Sequence, residues 1–186
     1  FKKMKKYKFL IALLAISFVS CKEKEQIKEV EKIEEKPFTV EIQMKVNEDD
    51  VICLYYKDNT ITFFNEDMAI YKNLVKGDSL QNIVFELPKN FIPNDFRFDL
   101  SHQNKNNTIF VEKINFTFKD KDFQIKNEDI DKYLKPNEGV IFDTTNRSFS
   151  FKELDGNYDP FLTTTGQFYP LLERLVGYEA FVNKVQ

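Results

Sequence analysis

Residues 38–46 read FTVEIQMKV, with Phe38, Val40, Ile42, Met44 and Val46 apolar and Thr39, Glu41, Gln43 and Lys45 polar between them. A strict period of two over nine residues puts the two sets on opposite faces of an extended chain, one dry and one wet. A helix would scatter the same residues around its circumference, so this stretch decides for a sheet. An acidic turn follows at 47–50, and then VICLYY at 51–56. That short continuous apolar run is the pattern of a strand covered on both faces.

Working outward, strands are expected at 69–75, 80–87, 95–100, 108–119, 122–126, 139–143 and 147–152, rich in Phe, Ile and Val. The segments between them (KDNT, VKGDS, PKN, SHQNKNN, KDKD and TTN) are polar or Gly-containing turns at short intervals. Two helical pieces interrupt the pattern. Asn127 is placed to cap a helix over 128–134, and Pro170 to open one that runs through Val176 and stops at Gly177. Eight or nine short strands over about 150 residues predict an all-β fold. The expected architecture is an antiparallel two-sheet sandwich, jelly-roll-like, with one or two short helices.

The 186 residues include 20 Phe and 8 Tyr but no Trp, and this aromatic content argues for a packed core rather than a disordered chain. The formal net charge of -3 hides an asymmetry, because the first 20 residues hold five Lys and no acid. From Cys21 onward 22 basic groups face 30 acidic ones, a net charge of -8. A nucleic-acid partner is set aside on that sign.

Met4 is the expected start, followed by a basic opening and an apolar run over 9–19 broken only by Ser17. Eleven residues suit the apolar region of an export signal and fall short of the roughly 20 that span a bilayer. The run ends in Phe18, Val19, Ser20 and Cys21, which resembles the lipobox of bacterial lipoproteins, although Phe18 stands where Leu, Val or Ile is usual. The resemblance implies cleavage before Cys21, a thioether-linked diacylglycerol on its sulfur, and an outer-membrane location facing the periplasm or the cell surface. Residues 22–36, KEKEQIKEVEKIEEK, are a composition shift without a docking face. Three segments follow: a signal peptide at 1–20, lipidated Cys21 with a charged tether through 37, and a β-sandwich domain at 38–186. The Lys–Glu alternation after Cys21 also resembles the surface-export signal of lipoproteins from Bacteroidota-type bacteria.

Without Cys21 the domain keeps one thiol, Cys53, flanked by apolar residues and with His102 as the lone histidine of the chain. A buried, inert cysteine is the expectation.

Leu87–Pro88, then Arg97, Phe98 and Asp99, then a polar loop and a strand carrying Ile114, Phe116 and Phe118 form a pattern over about 40 residues. It resembles carbohydrate-binding-module-like, galactose-binding-like sandwiches. That resemblance implies a non-catalytic module for glycans or another extended ligand. The absence of Trp departs from it, and Tyr rings would have to take the stacking role.

Arg97 and Asp99 lie two apart and so share one strand face, while Phe96, Phe98 and Leu100 take the other. They read either as a polar pair that grips a ligand or as an ion pair on a wet face. Tyr55 and Tyr56 are adjacent and must point in opposite directions. These four residues are the candidate ligand-binding set. Asp155, Asn157 and Asp159 place oxygens at alternate positions, as calcium loops do at their start, so a structural calcium or an Asx-rich turn is expected there. No other cofactor is expected.

No Gly-Ser nucleophile elbow or phosphate-cradling glycine loop occurs, and catalysis is not expected. Two rival functions stay open. One is a structural or assembly lipoprotein that meets an envelope protein partner. The other is a small glycan hydrolase using two of Glu41, Glu86 and Glu112 across a groove.

Overall fold

The computed structural model describes residues 36–178 and Phe181. The expected leader, Cys21 and the tether through 35 lie outside the described residues. In chain order the strands are β1 (Thr39–Val46), β2 (Asp50–Lys57), β3 (Ala69–Leu74), β4 (Gly77–Glu86), β5 (Asp95–Asp99), β6 (Thr108–Phe118) and β7 (Lys121–Lys126). A single turn of helix, α1 (Ile130–Tyr133), precedes β8 (Leu134–Pro136), β9 (Val140–Asp143), β10 (Ser148–Phe151) and β11 (Leu162–Thr164). Helix α2 (Tyr169–Val176) follows.

The strands form two antiparallel sheets, one of six strands in the order β4-β1-β6-β10-β9 with β7 also on β6, and one of five in the order β3-β2-β5-β11-β8. The protein is thus the two-sheet sandwich that the alternation of 38–46 implies. Strand β1 is an interior strand of its sheet, with Ile42 opposite Ile83 of β4 on one side and Ile114 of β6 on the other. Strand β2 does the same in the second sheet, where Leu54 faces Ile70 and Phe98.

Phenylalanine fills the space between the sheets. Phe96 on β5 has four rings around it, with Phe38 and Phe116 at 5.7 Å and Phe98 and Phe168 at 6.1 Å. Phe116 in turn stacks on Phe123 at 4.6 Å. Burying each such ring stabilises the fold by about 1.5–3 kcal/mol before ordering costs, and tilted or edge-on pairs add about 0.5–1.5 kcal/mol. Helix α2 closes one end with Leu172 and Leu175 buried, and Gly177 at φ 89° ends it by donating its N–H to the Glu173 carbonyl. A positive φ there favours glycine.

Three expectations need correction. The helix over 128–134 is a 3-10 turn at Asn127–Asp129 followed by the four residues of α1. Asn127 does not cap it. Its Nδ2 donates to the Val111 and Arg147 carbonyls and its Oδ1 accepts from Arg147 Nε, so the side chain ties β6 to the β9–β10 turn instead. Among the described residues eleven strands form rather than eight or nine, because β8 and β11, of three residues each, carry no alternation long enough to read. Of the two adjacent tyrosines, Tyr56 is the one that points into the core, where it is buried edge-on to Phe91 at 4.9 Å.

Phe116→Ala is expected to lower unfolding free energy by about 3–5 kcal/mol in a chemical denaturation curve, since its cavity cannot collapse between two sheets. Phe63→Ala, at a ring 79% exposed, should change it by less than about 0.5 kcal/mol.

Candidate functional site

The alternation of β5 that buries Phe96 and Phe98 puts Arg97 and Asp99 on the outer face of the five-stranded sheet. Register then chooses their neighbours. Arg97 lies opposite Tyr55 of β2 and Thr163 of β11, while Asp99 lies opposite Cys53, which itself faces Tyr71 of β3. Four strands therefore bring chemically active side chains to one patch.

Arg97 is held through its Nε and Nη2. Its Nε and Nη2 donate to the two carboxylate oxygens of Asp99, each at 2.8 Å, and Nη2 also donates to Asp159. The guanidinium lies 3.9 Å from the Phe161 ring centroid and 5.2 Å from that of Tyr55. Planar, weakly hydrated guanidinium suits this sandwich of rings and carboxylates better than an ammonium would. The Asp99 side chain is only 5% exposed, and burial pushes its carboxyl above the usual range against the opposing pull of Arg97.

Beside this pair stands a second one. Tyr55 donates its hydroxyl proton to Glu66 Oε1 at 2.6 Å, and Tyr71 donates to Oε2 at 2.5 Å. Each hydroxyl has a single proton, so the 3.1 Å approach of the two phenol oxygens is a shared grip on Glu66 rather than a third bond. The two donors hold the Glu66 carboxyl below its ordinary 4.5. Burial, then the negative neighbour Glu66, pushes the Tyr71 phenol up to about 12. The His102 ring packs edge-on to Tyr71 at 5.4 Å. Beneath them the Cys53 thiol is buried and raised to about 12 by desolvation and by Asp99, so it is no nucleophile near neutral pH.

The loop that carries His102 is anchored by Asp50. That buried carboxylate accepts from Asn107 Nδ2 at 3.0 Å, from the Val51 amide at 2.7 Å and from the Gln103 amide at 2.9 Å. Neither Asp50, Glu66 nor Phe161 stands out in the sequence as a site residue, and Tyr71 reads there only as one of several tyrosines near strand ends that could line a site. The signal for Glu66 is slight: an acid after Asn65, whose side chain caps the 3-10 turn at Glu66–Met68.

The expected oxygen-ligand set divides. Asp155 and Gly156, at φ 51° and 80°, are the centre of a two-residue hairpin turn in which Leu154 and Asn157 exchange backbone hydrogen bonds of 2.9 Å. Asp159 instead joins Arg97. Among the described residues no group of three or more His, Cys, Asp or Glu is arranged to hold a metal ion. Glu41, Glu86 and Glu112 belong to β1, β4 and β6 of the other sheet. Two shallow grooves, one between β7 and α2 and one at an end of the six-stranded sheet, carry a single carboxylate each, Asp122 and Asp78, so neither presents a facing pair.

Comparison with known proteins finds no matching family model, no matching curated protein and no matching solved structure.

Two outcomes test this arrangement. Arg97→Ala leaves Asp99 buried without a partner and should cost about 3 kcal/mol, whereas Arg97→Met with Asp99→Leu should cost clearly less, as read by denaturant midpoints. Because the folded carboxyl of Glu66 is lowered, its contribution to stability is present above its ordinary 4.5 and lost as pH falls through the folded value. The melting-temperature gap between the native chain and Glu66→Gln should accordingly be open at neutral pH and close in strong acid.

Proposed function

We propose that this chain is a lipid-anchored, non-catalytic module of a bacterial cell envelope that holds saccharides on the outer face of its five-stranded sheet. The observation that carries the reading is the half-open assembly of Tyr71, Glu66 and Arg97 on a face that a sandwich needs only to keep wet. Tyr71 is 41% exposed and supplies a ring against which the apolar side of a sugar can stack. Glu66 is exposed, and its two oxygens keep lone pairs beyond those used by Tyr55 and Tyr71, enough to accept from sugar hydroxyls. Among the described residues Arg97 Nη1 donates to none, which leaves two N–H groups for a ligand oxygen. The buried Arg97–Asp99 pair fixes these groups in place before any ligand arrives. The anchor follows from Ser20–Cys21 and the apolar run ahead of it.

A second reading, an assembly lipoprotein with a protein partner, is favoured by β4. This ten-residue edge strand exposes Leu80 and Val84, where edge strands are commonly blunted by charge or proline.

The test is retention of the chain on a broad polysaccharide panel, in calcium and in a chelator. Selective binding to one glycan, weakened at least tenfold by Tyr71→Ala and by Glu66→Gln, supports the module. Absence of binding by the folded chain, with a complex that Val84→Lys abolishes, supports the second reading. Cys21→Ala should remove palmitate labelling in the native host, and persistent labelling contradicts the anchor.

A further inference from the structure

The groove on the other sheet has a different chemistry. In β1 and β6, Val46 and Ile109 face the core, so Lys45 and Phe110, which lie opposite each other in register, face outward. Around them is a groove of about 430 Å³, bordered by Asn47, Asp78, Asn146 and Ser148. That volume is within the range of small-molecule sites.

The floor is an aromatic ring and the wall is a cation without an anion. Lys45 Nζ sits over the Phe110 ring, 5.3 Å from its centroid, and forms no ion pair among the described residues. Asp78 likewise has no ion-pair partner among them. Asn146 gives its Nδ2 to Asp143, which leaves its Oδ1 to accept from a ligand, while the Ser148 hydroxyl can donate or accept. The contrast with Arg97 is instructive. There the cation is locked between two carboxylates, whereas here it rests on a ring, an attraction of about 0.5–1 kcal/mol at an exposed site that an incoming carboxylate can outbid.

We propose that this groove is a separate site for a saccharide ring that bears a carboxylate, a hexuronate unit. Its apolar side stacks on Phe110 as the ammonium swings off the ring to meet the carboxylate, and its hydroxyls reach Asp78, Asn146 and Ser148. Asp78 makes the site selective as well as attractive, because it repels a carboxylate placed at the wrong end of the groove.

The experiment is amide chemical-shift mapping of the whole chain with tetramers of galacturonate, glucuronate and mannuronate, each beside its methyl ester. One of the acids is expected to shift Lys45, Phe110 and Ser148, with the ester at least tenfold weaker. Lys45→Gln, at an exposed side chain that leaves the core intact, should weaken the acid at least tenfold, as should Phe110→Ala. Tyr71→Ala should leave it unchanged, which separates this site from the one on the opposite sheet. No shift with any of the three acids at about 10 mM overturns the proposal. Equal binding of acid and ester, or Lys45→Gln that binds as the native chain does, overturns it too.

Discussion

Strand β5 constrains everything around it. Its five residues alternate between two of the most demanding environments in the molecule: Phe96 and Phe98 in the centre of the ring cluster, Arg97 and Asp99 on the opposite side. Neither set can exchange with the other, because a one-residue slip would drive a guanidinium and a carboxylate between the sheets. The packing of the core therefore fixes the position of the charges to within a rotamer. The outer face inherits its precision from the inner one.

Once Arg97 and Asp99 are placed, electrostatics chooses their company. Asp99 is buried beneath Arg97 and needs its charge, and Arg97 in turn draws in Asp159 from the segment after the Asp155–Gly156 turn. The rings of Phe161 and Tyr55 both lie near the guanidinium. Tyr55 then extends the network to Glu66 and Tyr71 through its hydroxyl. A chain of contacts thus runs from the middle of the sandwich to a half-exposed rim, each step required by an unmet charge or donor. In the proposed function the rim is what a ligand meets, and the rest holds it in place. On the six-stranded sheet Arg147 is likewise held, by Asn127 and Asp131, whereas Lys45 lies over Phe110 with no ion pair among the described residues.

Much of the architecture was legible because alternation is a local property. Phe38 to Val46 and Phe96 to Leu100 declare their faces without knowing their partners, and the turns between strands carry ordinary polar signals. The same reasoning put Arg97 and Asp99 on one face and separated Tyr55 from Tyr56. It could not say which of the two tyrosines faces out, since a run apolar on both sides has no wet side to mark. Tyr71, Glu66 and Phe161 join the site through register and through the two hydroxyl bonds to Glu66, 11 residues from Tyr55 and 5 from Tyr71, and register is decided between strands. Asn127 shows the limit from the other direction. Its position suits a helix cap, yet Arg147, 20 residues later, claims the side chain. Strands β8 and β11 are too short to carry a period, and their partners define them.

In the proposed function a saccharide binds the outer face of the five-stranded sheet on a framework that is already formed. The most direct measurement is a structure of the chain with the glycan that its polysaccharide panel selects. The account predicts a sugar ring against Tyr71, oxygens on Glu66 and on Arg97 Nη1, and the Arg97–Asp99 pair unchanged from the free chain. A ligand seated elsewhere, or one that binds by breaking the Arg97–Asp99 pair, contradicts it.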